Sequence, residues 1–167
     1  MAETKEPADC CEKRMSSEMA DQTIDIIDRL IETCRDGQEG YRDAAEHTKT
    51  AELRDFFNRQ SLERAKFAGE LESIAQRLGE ADPDRGPSMA NKLHRAWFDL
   101  KQKFGGGDLS ILESVEAGED SAKKNYQEAL RADLPFDVHE IVDTQAHSVL
   151  AAHDQVRNLR DSYKKAA

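Results

Sequence analysis

The chain has 167 residues, 38% of them apolar and 35% charged, a size that suits one domain with its own core and a composition that suits long helices burying one stripe each. Its 24 Lys and Arg face 34 Asp and Glu, a formal charge of -10, and nowhere gather into a basic stripe, which sets nucleic acid aside as a partner. No apolar run approaches membrane-spanning length, and the opening MAETKEPADCCEKRMSSEM has neither the apolar stretch nor the small-residue cleavage site of a signal peptide, so no membrane partner and a cytoplasmic location are expected.

Residues 1–20 are polar, with Pro7 and few large apolar groups, and are expected to form a disordered tail ahead of a bundle domain over 21–165. Cys10 and Cys11 stand in this stretch; with Cys34 they make an odd count and no Cys-x-x-Cys pair, which fits a reducing compartment. From Asp21, placed to cap a first turn, Ile24, Ile27, Ile31, Cys34, Gln38, Tyr41 and Ala45 recur every three or four residues and predict a first helix over 22–48.

The same spacing in Leu53, Phe57, Gln60, Arg64, Phe67, Leu71, Ile74 and Leu78, stopped by Gly79, predicts a second helix, and the short link between the two makes them an antiparallel hairpin. After the breaker-rich EADPDRGPS, the stripe Met89, Leu93, Trp97, Leu100 and Phe104 predicts a short fifth helix within a long crossover, ending at Gly105–Gly107. Asp108 is then placed as a cap for a helix carrying Leu112, Val115, Glu119, Ala122, Tyr126 and Ala129. Pro135 is expected as the first residue of the last helix, whose stripe is Val138, Val142, Gln145, Val149, Ala152, Val156, Leu159 and Tyr163. An offset of 81 residues lays the second hairpin on the first, aligning Glu32 with Glu113, Gly37 with Gly118 and Leu53 with Leu134.

Two helical hairpins joined by a crossover as long as the bundle are the all-α, ferritin-like version of the four-helix bundle. On LIETCRDGQEGYRDAAE, SLERAKFAGEL, LHRAWFDLK, EAGEDSAKKNYQEAL and AAHDQVRNLRD the chain resembles an uncharacterised bacterial family of ferritin-like four-helix-bundle proteins, a domain of unknown function, over roughly residues 22–162. The resemblance implies a fold and no established reaction. It also implies Glu where this chain has Gln38.

Ferritin-like oxidases hold two metals with Glu-x-x-His pairs, yet the residues three places before the five histidines are Ala44, Asn91, Phe136, Thr144 and Leu150. In place of that motif, Gln38, Gln60, Arg64, Glu119 and Gln145 interrupt the apolar stripes and are expected to meet as one buried polar layer, with the Arg64 guanidinium offsetting the Glu119 carboxylate. The alternative is a degenerate metal site, for iron or another divalent cation, built from Glu32, Glu63, Glu113, His147 and His153.

No nucleophile with its base, cofactor motif or full metal-ligand set can be read from the chain. The expected function is therefore non-catalytic, through protein interaction or assembly, with a stress-associated role and homodimerisation among its forms and no cofactor. The competing classes are a metal-binding, iron-handling or oxidoreductase protein and a redox or metal sensor using Cys10 and Cys11.

Overall fold

A computed structural model describes residues 8–80 and 106–166, with side chains from Ser16 onward. Four helices and no strands are present among the described residues: α1 (Ala8–His47), α2 (Ala51–Arg77), α3 (Asp108–Leu130) and α4 (Phe136–Ala166). Every stripe position predicted for α3 is buried. Those of the other three helices are buried except for Ile24, Gln38, Gln60, Leu78, Leu159 and Tyr163, which lie half-buried at helix ends or seam edges. The expected fifth helix lies outside the described residues.

Contacts across the seams set the topology. Arg35 meets Glu72 at 2.8 Å and Ser61 donates to the Gln38 carbonyl, so α1 and α2 are antiparallel. Asn125 donates to Thr33 while Asp108 reaches Thr48, which runs α3 antiparallel to α1. Tyr126 meets Gln145 and Glu113 meets Lys164, so α4 reverses again. Thus α1 and α4 run one way and α2 and α3 the other. The chain leaves α2 at one end of the bundle and enters α3 at the opposite end, as a full-length crossover requires.

Two expectations are corrected. The first helix begins at Ala8, not at 22. Ala8, Glu12, Lys13, Arg14, Met15, Glu18, Met19 and Ala20 are good helix formers, and extending a helix already nucleated by the bundle costs little. Polarity here marks a solvated helix, with Ser16, Ser17, Glu18 and Met19 exposed. Asp21 accordingly lies inside α1 and caps nothing.

Asp108 is the second correction, because Gly107 holds the N-cap position of α3 with φ of 83°. The Asp108 carboxylate instead accepts hydrogen bonds from the Thr48 hydroxyl at 2.9 Å, the Lys49 N–H at 2.9 Å and the Thr50 hydroxyl, and Tyr163 donates to Thr50 at 3.2 Å. One carboxylate thereby ties the α1–α2 turn to the start of α3 and, through Thr50, to the end of α4. Burial alone would raise its pKa, but the bonds from Thr50, Lys49 and Thr48 outweigh burial and hold it below the ordinary value. At the opposite end of α2, Gly79 with φ of 103° makes the expected stop, its N–H donating to the Gln76 carbonyl at 3.1 Å.

Candidate functional site

The core divides into two apolar clusters. One gathers Ile27, Leu30, Ile31, Cys34, Phe67, Leu71, Ile74, Tyr126, Val138, Val142 and Val149. The other gathers Tyr41, Ala44, Leu53, Phe56, Phe57, Ile111, Leu112, Val115 and Val156. Between them Arg64 of α2 and Glu119 of α3, each 1% exposed, form the polar centre.

Arg64 Nη2 donates to Glu119 Oε1 at 2.8 Å and to Oε2 at 2.9 Å, which joins two helices that sit diagonally across the bundle. The guanidinium carbon also lies 5.9 Å from the Tyr41 ring centre and 6.0 Å from that of Phe67, so two aromatic faces support the cation. Its stem passes Gly37, where an added Cβ would come within 3.4 Å of Arg64 Cγ. At that distance a Cβ would make ordinary van der Waals contact with the arginine stem, so the stem packs directly against the α1 backbone at Gly37.

Burial pushes the Glu119 carboxyl above its ordinary value, and the Arg64 cation offsets part of that rise. For Arg64, burial works against the cation but the Glu119 charge outweighs it, raising the guanidinium pKa. The Tyr41 hydroxyl, fully buried beside this carboxylate and itself raised by desolvation, has no partner in hydrogen-bonding geometry.

Gln145, expected in the same layer, belongs to a second network one turn further on. Its side-chain Oε1 accepts from the Tyr126 hydroxyl at 2.8 Å and its Nε2 donates to Glu70 at 2.8 Å. The Tyr126 hydroxyl in turn lies 3.1 Å from Cys34 Sγ. Burial pushes the Cys34 thiol up to about 11, so it stays protonated and acts as a small packed group rather than a nucleophile. Gln38 and Gln60 are half-buried at the seam edges, and the Gln60 Oε1 has no hydrogen-bond partner. The expected single layer of five residues is thus a central pair, a separate Gln145 network and two flanking amides.

The alternative metal residues do not converge. Glu113 is exposed and pairs with Lys164 at 3.2 Å; His147 is exposed, with Nδ1 2.8 Å from the Asp143 carbonyl. Glu32 and Glu63 are half-buried on different helices. His153 is buried, but its two ring nitrogens face opposite partners, Asp120 at 2.9 Å and Asp154 at 3.1 Å, with Lys123 3.3 Å from the first. Among the described residues no group of three or more His, Cys, Asp or Glu is placed to hold a metal. A di-metal centre does not fit the centre of this bundle, where the Arg64 guanidinium already engages both oxygens of Glu119. Cys10 and Cys11 lie on the first turns of α1, and their side chains are outside the described residues. Among the described residues no helix is long and apolar enough to cross a membrane.

No curated protein matches the chain. The family described as a domain of unknown function, DUF2383, matches residues 22–132, the greater part of the chain, and the chain belongs to that family.

Proposed function

We propose that this protein is a ferritin-like bundle of bacterial, cytoplasmic type, with a fifth helix in its crossover, that works without catalysis through protein interaction or assembly. The observation that supports this reading most directly is the Arg64–Glu119 pair, which puts a permanent cation on the deeply buried Glu119 carboxylate at the bundle's centre. A guanidinium there serves as a fixed counter-charge: it stabilises the carboxylate and repels a divalent ion, so the pair is built to hold helices in register. The surface left for partners includes Leu62 at 73% and Phe136 at 79% exposure, on different helices.

The test is elemental analysis of untagged protein together with its mass under native conditions. Well under one equivalent of iron, zinc, manganese or copper per chain is expected, with a defined homo-oligomer or a captured protein partner. Tightly held stoichiometric metal that is lost in Glu119→Gln would overturn the reading in favour of a metal-handling protein.

A further inference from the structure

We propose that the centre of the bundle is a binding site for ordered water, which joins the unbonded side of the Arg64 guanidinium to the Tyr41 hydroxyl. The donors and acceptors present there carry this. A guanidinium offers five N–H groups and no acceptor. Arg64 gives only Nη2 to the protein, and that one nitrogen spans both oxygens of Glu119, at 2.8 and 2.9 Å. Nε and Nη1, which hold the other three N–H groups, are shielded from solvent and meet no acceptor. The Tyr41 hydroxyl is shielded and unbonded as well. Arg64 is 1% exposed and Tyr41 0%, so bulk water reaches neither.

Unmet donors on a buried cation are costly, and folded proteins answer them with ordered water where side chains do not reach. The surroundings offer Arg64 little else. The Tyr41 and Phe67 rings, 5.9 and 6.0 Å from the guanidinium carbon, support its charge through their faces and are not conventional acceptors. On the α1 side stands Gly37, which has no side chain to bring to Nε. Apolar clusters close the site on either side. Gln60, four residues before Arg64 and so on the same face of α2, keeps an Oε1 that is itself shielded and unbonded.

Charge and hydrogen-bonding capacity define the ligand. An added anion would leave an uncompensated negative charge beside Glu119, and an added cation would face the guanidinium. A small neutral molecule that both accepts and donates is required. Water meets this: its oxygen accepts from Arg64 and Tyr41, and its protons are left for the Gln60 Oε1 and the spare lone pairs of the Glu119 carboxylate. Bound there, water brings α1, through Tyr41, into the ion pair that already joins α2 to α3.

A crystal structure of the full chain at a resolution that shows ordered water is the direct test. A water oxygen is expected about 2.7 to 3.2 Å from Arg64 Nε or Nη1 and at a like distance from the Tyr41 hydroxyl. In solution, the Arg64 Nε proton of labelled protein should show cross-peaks to water of opposite sign in NOESY and ROESY spectra, the mark of a long-lived bound molecule. These should survive in Tyr41→Phe, which removes the hydroxyl proton that could relay exchange with solvent. Density without water at Arg64, or with Gln60 or Tyr41 turned to accept from it directly, would overturn the assignment. So would cross-peaks that are absent, or that vanish in Tyr41→Phe.

Discussion

Two close charged pairs in this bundle respond to burial in opposite ways. Arg64 and Glu119 carry opposite charges at the centre, and each supplies what the other needs to remain ionised there. Asp28 of α1 and Glu80, just past α2, are both acids. Burial first, and then the Glu80 charge and hydrogen bond with further contributions from Asp25 and Glu32, push the Asp28 carboxyl up to about 6. The difference shows that burial of charge is tolerated deep in the core where a counter-charge is fixed, and is relieved at the margin by taking up a proton.

The comparison is broken most severely at the centre. Arg64→Met or Glu119→Gln alone is expected to destabilise by roughly 3 to 5 kcal/mol, because each strands the other charge or leaves its donors unmet. The double change should cost clearly less than the sum, measured as a double-mutant cycle by urea unfolding. Additivity within about 0.5 kcal/mol would show that the two groups are not coupled.

Next in size is the neighbouring neutral network. Tyr126→Phe removes the hydroxyl that Gln145 accepts from and Cys34 meets, and should cost about 1 to 3 kcal/mol in the same unfolding measurement, the usual penalty for leaving a buried polar partner unsatisfied. A negligible change would mean that the Tyr126 hydroxyl contributes nothing to satisfying the Gln145 Oε1.

At the bundle's end, Asp108→Ala should cost about 1 kcal/mol at neutral pH by releasing the α1–α2 turn. Its folded pKa lies below the ordinary 3.8, so its stabilisation is present above that value and lost as pH falls through the lower folded value. The gap between wild type and variant should therefore close in strongly acidic urea titrations. A gap that persists there would assign the effect to packing.

The smallest expected effect has the opposite sign. Asp28→Asn should stabilise the protein at pH 7, by less than about 1 kcal/mol given the solvent screening of this half-exposed group. The Asp28 pKa rises on folding from 3.8 to about 6, so its ionisation penalty is absent below about 4 and grows as pH rises through 6. Wild-type stability should fall relative to the variant across that window. Parallel pH profiles would show that folding does not raise the Asp28 pKa.

Periodicity alone carried much of this molecule. Apolar residues at three- and four-residue spacing named the four helices, and the stripe registers put Arg64 and Glu119 on facing positions before any contact was known. Spacing works here because a helix buries one face, so a polar residue on that face must be answered by another. Spacing could not say which residue answers which. Gln145 stands on the right stripe but is carried to Tyr126 and Glu70 by its axial height, and Gln38 and Gln60 turn to the seam edges by a fraction of a turn.

The start of α1 escaped the sequence reading for a different reason. A helix with no buried face has no apolar period, so Ser16 to Met19 read as a tail although the backbone is helical from Ala8. Asp108 was legible as a helix-start residue, but the partner of its carboxylate lies 60 residues away at Thr48. Local sequence thus determined the helices, their buried faces and the residues that break them. Tertiary structure alone decided the pairings, because hydrogen bonds and ion pairs depend on axial height and rotation between helices that the chain connects only at their ends.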